Sequence, residues 1–262
     1  MKLELFKVLG ESFSYLKDNW KRYIGTTLIQ IGIMVLIFII PMSVWDKSEA
    51  VPTSIFYGAG LSFLWLFVMM IPWIVLSVVF RNVYMAITDD AYEGREIPFK
   101  EQWKYAFKKC GSVLLAVIIY SVPIFIVAFV IQWFVVKNSP VLEFVLNISI
   151  NIVSILFILT EAAILVDDCS AIDGIKKSIE IMKHNIFRYI GFAIGLGFLI
   201  AVPMMLIPFI IEVEFMIYVM LILFIPLMIY LAPIHDVFQT LLYKSATEPE
   251  DMLEEMLIND VE

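Results

Sequence analysis

The chain is 262 residues long, 61% hydrophobic and 17% charged, with a formal net charge of −8 and a mean hydropathy of +0.92. Soluble domains hold about 45–50% apolar residues, so water is excluded as the main solvent, and no polar stretch is long enough to build a separate second core. The acidic balance also excludes the basic stripe of a nucleic-acid binder.

Residues 1–22 mix charges of both signs and contain no short apolar stretch ending in small residues, so they do not read as a cleaved signal peptide. Leu5, Phe6, Leu9, Phe13, Leu16 and Trp20 recur at helical spacing. This predicts an amphipathic helix lying in the membrane interface. Lys17, Lys21 and Arg22 fall where anionic headgroups would hold them, and Trp20 and Tyr23 suit the interfacial aromatic belt.

Six apolar windows follow, about 23–45, 55–80, 111–136, 140–166, 189–211 and 214–234. Each is long enough to cross a hydrocarbon core of about 30 Å, which takes roughly 20 helical residues. Helix is the predicted form, because backbone polar groups in lipid must be satisfied within their own segment. Sixteen of the eighteen Lys and Arg lie in residues 1–22, 81–110, 167–188 and 235–262, against two in the intervening short loops. The positive-inside rule then puts both termini in the cytoplasm, as an even number of spans requires.

Pro41, Pro72, Pro123, Pro203, Pro208, Pro226 and Pro233 stand in or near span ends, where each removes a backbone donor and favours a bend. Gln30 and Gln132 read as helix-to-helix contacts. Between the second and third spans, Phe99, Trp103, Phe107 and Cys110 form a weaker apolar stripe. The even spans end in acid, at Asp89-Asp90, Asp167-Asp168 and Asp236.

The fourth window is the most polar. Asn147, Asn151 and Ser154 fall at i, i+4 and i+7, and Glu161 lies seven residues further on the same face. A carboxylate at the bilayer centre costs roughly 2.5–3.5 kcal/mol, which makes this stripe a candidate intramembrane polar site. Either Glu161 binds a proton, a cation or a cationic head in a polar cleft, or it accepts hydrogen bonds from another helix or an interfacial Lys or Arg.

Before the fifth span, Ile172, Ile175, Ile179, Met182 and Ile186 repeat the helical spacing, and Lys183 and Arg188 repeat the headgroup pattern. Ser178 to Gly191 also matches Ser12 to Gly25 at seven of fourteen positions, among them Lys17/Lys183, Asn19/Asn185, Arg22/Arg188 and Tyr23/Tyr189. Shared apolar composition does not place identical polar residues at fixed offsets, so three copies of interfacial helix, outward span and returning span are predicted.

From Lys244 the composition changes, with seven acids between Ser245 and Glu262. Thr247-Glu248-Pro249-Glu250 reads as a helix start, and the tail as either a protein-binding surface or a solvated end. Cys110 and Cys169 lack Cys or His companions, so neither a disulfide nor a metal site is predicted. With only His184 and His235 and no GxSxG, HExxH or phosphate-binding glycine loop, the sequence predicts no catalytic residue and no cofactor.

Leu165-Val166-Asp167-Asp168-Cys169-Ser170-Ala171-Ile172-Asp173-Gly174-Ile175-Lys176-Lys177-Ser178, running on to Arg188, resembles the signature of a broad group of six-helix membrane proteins. That group includes the YciC-like inner-membrane proteins and the membrane domain attached to some glycerophosphodiester phosphodiesterases. The stretch from Arg81 through Asp89, Asp90 and Gly94 to Pro98, with Phe107–Gly111, is similar to the group's second-to-third-span connection. The resemblance implies a fold and hardly any activity. Relatives carry a proline in the fourth span where this chain has Thr160 and Glu161, which leaves that helix's shape open.

The expectation is an all-α polytopic bundle of six transmembrane helices, with amphipathic helices before spans 1, 3 and 5. Residues 1–243 form the membrane domain and 244–262 an acidic cytoplasmic tail. The expected role is non-enzymatic organisation of membrane lipids or partner proteins at the cytoplasmic face, with a protein partner meeting the tail. The alternative is a small transporter or permease component with a polar cleft on the fourth span.

Overall fold

The computed structural model describes residues 3–39, 55–136, 139–211 and 226–247, with side chains for 3–37, 70–134, 139–198 and 226–247. The architecture is all-α, and no strand occurs among the described residues. In chain order the helices are α1 (Leu5–Asp18), α2 (Trp20–Met34, ending in the π-helical turn Val35–Ile39), α3 (Ile55–Tyr92), α4 (Phe99–Ile131, ending in the π-helical turn Gln132–Val136), α5 (Pro140–Ile155), α6 (Thr160–Val166), α7 (Ala171–Lys183), α8 (Ile186–Ile211) and α9 (Ile234–Thr247).

Among the described residues, three helical stretches are long and apolar enough to cross a membrane: Met70–Tyr92, Phe99–Phe134 and Pro140–Val166. They overlap the second, third and fourth predicted windows, the first of them from Met70 onward. α2 and α8 begin the first and fifth windows as helix. Residues 40–45 of the first window and most of the sixth lie outside the described residues. Pro72 and Pro123 sit inside α3 and α4, which continue through them.

Packing is concentrated at one end of the bundle. Tyr23, Phe80, Met85, Leu159, Met182 and Leu241 are fully buried there and belong to one apolar cluster. At the other end, Phe125, Phe129, Trp133, Val141 and Phe144 are exposed. Apolar helix surface of that extent is unsuited to water and matches an acyl-chain solvent.

The sequence repeat is a structural repeat. The buried line of α1 is Leu5, Val8, Ser12 and Leu16, and that of α7 is Ala171, Gly174, Ser178 and Met182, position for position in the register set by the two serines. An asparagine stands at each junction: Asn19 caps α1 and precedes α2, and Asn185 follows the α7 cap His184 and precedes α8. Asn19 donates its backbone N–H (3.0 Å) and its side-chain amide (3.4 Å) to Tyr15 O, and its carbonyl accepts from the Arg22 and Tyr23 N–H groups. Asn185 donates its N–H to Met182 O (2.9 Å) and its amide to Ile181 O (2.9 Å), and its carbonyl accepts from Tyr189 N–H (2.9 Å). Backbone groups that a helix end would leave open are thereby satisfied while the chain changes direction.

The middle copy differs from the expectation of a separate amphipathic helix. α4 runs unbroken from Phe99 into the span, burying Gln102, Ala106, Lys109 and Cys110. No asparagine stands in Lys108-Lys109-Cys110-Gly111 to close one helix and open another, so the backbone ladder continues.

The fourth span is two helices. Between α5 and α6 the N–H groups of Leu156, Phe157 and Ile158 reach back only three residues, to Val153, Ser154 and Ile155. Ser178 of α7 fills the interruption, donating its hydroxyl to Leu156 O (2.8 Å) and accepting from Leu159 N–H (3.1 Å). Close approach depends on Gly174: a Cβ there would lie 2.5 Å from Ile164 Cγ1 and 3.1 Å from Thr160 O.

α9 crosses the predicted 243/244 boundary. Lys244 and Ala246 are buried, so residues 244–247 belong to the bundle, and the rest of the tail lies outside the described residues.

Candidate functional site

The acids at the ends of the predicted even spans all meet cations. Arg81 of α3 joins three helices: Nη1 donates to Glu161 Oε1 (2.9 Å), Nε to Asp236 Oδ1 (2.9 Å) and Nη2 to Gln239 Oε1 (3.2 Å). Glu161 and Asp236 are 5% and 6% exposed, and the guanidinium is the partner that such buried carboxylates need. Lys109 of α4 pairs with Asp168, and Lys177 of α7 and the Tyr243 hydroxyl of α9 both donate to Asp167. Arg95 binds Asp89 and Asp90, and Gln102 donates to Asp90 (2.8 Å). Lys244 pairs with Glu93 and with Asp89 (2.9 Å), its ammonium 4.9 Å from the Tyr92 ring centre.

Outside the spans these pairs set protonation. The hydrogen bond from Lys244 holds the Glu93 carboxyl below its ordinary range. Burial works to lower Lys244, yet its bonds to Glu93 and Asp89 prevail and raise it. The Lys109 hydrogen bond lowers Asp168, the Asp167 hydrogen bond raises Lys177, and burial together with Asp167 pushes the Tyr243 phenol up. A second polar layer ties α2 to α3: the hydroxyls of Tyr23 and Thr88 meet at 2.8 Å, those of Thr27 and Tyr84 at 2.9 Å, and Tyr84 donates to the predicted contact residue Gln30 (3.1 Å).

The predicted polar stripe does not converge. Asn147, Asn151 and Ser154 are exposed. Asn151 donates to Asn147 O and Ser154 to Ile150 O, both at 2.8 Å within α5. Glu161 lies beyond the interruption at 156–159, where the i, i+7 register no longer applies, and it turns inward to Arg81. Sequence reasoning missed Arg81 as that partner. The signal was its place as the first charge after the 55–80 window, level with acids at the ends of the even spans.

The predicted headgroup residues are arranged differently from the paired cations. Lys17, Lys21, Lys183 and Arg188 are exposed and Arg22 half-buried. Among the described residues none of the five is in an ion pair. Lys21 lies 5.8 Å from the Trp20 ring centre.

No family model, curated protein or solved structure matches the chain. Two cavities open at the packed end. One of about 490 Å³ between α7 and α9 is lined by Asp167, Lys177, Glu180, His184 and Tyr243. The other, of about 420 Å³, is lined by Asp89, Asp90, Arg95, Gln102 and Tyr105. Asp167, Lys177, Asp89, Asp90 and Arg95 are engaged in the pairs above, and His184 Nδ1 meets the backbone O of Glu180 (3.2 Å) at the end of its own helix. Such groups hold helices together and can recognise polar surfaces.

Proposed function

We propose that this chain is a multi-pass membrane protein of six spans with both termini cytoplasmic, organising lipids or partner proteins at the cytoplasmic face without catalysing a reaction. One observation carries the reading. Cations that point into the packed end, Arg81, Lys109, Lys177 and Lys244, are matched to carboxylates, whereas Lys17, Lys21, Arg22, Lys183 and Arg188 are not paired among the described residues. The first set builds a platform, and the second is available to an anionic surface. The charge count supports the orientation, and the resemblance to the YciC-like group supports six spans.

In a background without Cys110 and Cys169, single cysteines at Lys17 and Lys183 should react with an impermeant maleimide only after the membrane is opened. A photo-cross-linker at Phe187, which is 86% exposed, should give lipid or protein adducts. Labelling in sealed cells would overturn the orientation, and absence of adducts would overturn the organising role.

A transport reading draws on one observation, the Glu161 Oε2 atom, which is buried and accepts no hydrogen bond among the described groups. It requires that Glu161→Gln abolish proton flux in reconstituted vesicles; unchanged flux removes it.

A further inference from the structure

α1 and α7 share a second pattern besides their buried line. Phe6 is 74% exposed, Phe13 46% and Trp20, just past the asparagine, 46%. The equivalent positions of the other copy are Ile172, 56% exposed, and the partly exposed Ile179 and Ile186. Residues seven apart drift only about 20° on a helix, so Phe6 and Phe13 form one stripe on α1 and Ile172 and Ile179 one on α7, with Trp20 and Ile186 standing just past each helix end. At about 3.6 residues per turn, the stripe lies roughly a quarter-turn from the buried line.

Lysine edges both stripes on the side away from the protein. Lys17 and Lys183 occupy the same repeat position and both are exposed. Lys21, in the first turn of α2, adds an exposed cation in the first copy, where the other copy has Phe187. A helix bonded to protein along one line, apolar along the next and basic beyond it suits the plane of a bilayer surface, with the stripe at the acyl boundary and the ammonium groups at the phosphates.

We propose that α1 and α7 are two equivalent sites for the phosphate headgroup of an anionic phospholipid, an inference that rests on the membrane-platform reading. Lipid fits better than a protein surface because the copies keep polarity and change shape. Phe6, Phe13 and Trp20 stand where the other copy has Ile172, Ile179 and Ile186. Acyl chains adapt to either set, whereas a close-packed protein partner would demand one shape. The lysines, unpaired among the described residues, supply the charge selection, each worth about fivefold in affinity near an anionic surface.

The test is native mass spectrometry of the gently solubilised full chain titrated with phosphatidylglycerol or phosphatidylcholine. Two saturable phosphatidylglycerol adducts are expected, with no comparable phosphatidylcholine binding. Lys17→Gln and Lys183→Gln should each weaken one adduct about fivefold and the double variant both, while Lys21→Gln should weaken only one. Equal binding of the two lipids, or an unchanged preference in the double variant, overturns the two sites. A chain that fails this test yet shows the expected maleimide pattern remains a membrane platform without headgroup sites, whereas labelling of Lys183→Cys in sealed cells removes the platform itself.

Discussion

The hydroxyl of Ser178 donates to the carbonyl of Leu156, 22 residues earlier, across the gap between α5 and α6 at 2.8 Å. The same oxygen accepts the Leu159 N–H, so one side chain satisfies both sides of the interruption. Ser178→Ala should cost about 1–3 kcal/mol, because buried backbone groups lose their partner. Among the described residues its repeat counterpart Ser12 bonds to Val8 O alone, within α1, so Ser12→Ala should cost less, about 0.5–1.5 kcal/mol. Thermal unfolding of the two variants in detergent checks the contrast.

Gly174→Ala should destabilise by about 1–3 kcal/mol, since the methyl would press on Ile164 Cγ1, close to the root of a fully buried side chain. Gly10→Ala is the control. Nothing lies within 4 Å of a Cβ there, and the exposed site in α1 should gain about 0.5–1 kcal/mol from helix propensity. Combining Gly174→Ala with Ile164→Ala should cost less than the sum of the single changes, as neighbours sharing one space couple.

Arg81→Met leaves Glu161 and Asp236 facing each other with no cation between them. Removing one partner of a buried pair costs about 3–5 kcal/mol, and the 34% exposure of the Arg81 side chain places this case near the lower bound. Adding Glu161→Gln and Asp236→Asn should restore most of the loss. A triple variant no more stable than Arg81→Met would show that the guanidinium acts by packing instead of charge.

The α9 latch has a definite pH signature. Glu93 is lowered from its ordinary 4.5, so its contribution is present above that value and disappears as pH falls through the lower folded pKa. Lys244 is raised from 10.5, so its contribution is present below that value and disappears as pH rises through the higher folded pKa. The latch should therefore be indifferent to pH between about 5 and 10. Truncation after Thr247 should leave the melting temperature unchanged, and truncation after Tyr243 should lower it across the whole window.

The repeat and the even-span acids were legible because both are patterns of polar residues at fixed positions. Asn19 and Asn185 mark the direction changes in sequence as plainly as in structure. The interruption before Thr160 was less legible, because its cause lies in Ser178 of another helix and no proline or glycine announces it. Glu161 was singled out as an acid needing a partner, and Arg81 lies beside it. The stripe drawn through Asn147, Asn151 and Ser154 assumed one straight helix, whereas the interruption separates Glu161 from those three residues.

α3 contains 38 residues and is therefore about 57 Å long at 1.5 Å per residue. A hydrocarbon core is about 30 Å thick, so in the six-span arrangement proposed above the stretch from Arg81 to Tyr92 rises beyond the acyl chains as a post. α1 joins the packed end chiefly through α9 and α7 through α6, so in that arrangement the height at which their apolar stripes would meet the lipid is set by the bundle. The chain would then carry its own gauge of bilayer thickness. A thinner membrane would have to climb toward this collar, or the spans would have to tilt beneath it, each at a fraction of a kcal/mol per ångström of mismatch.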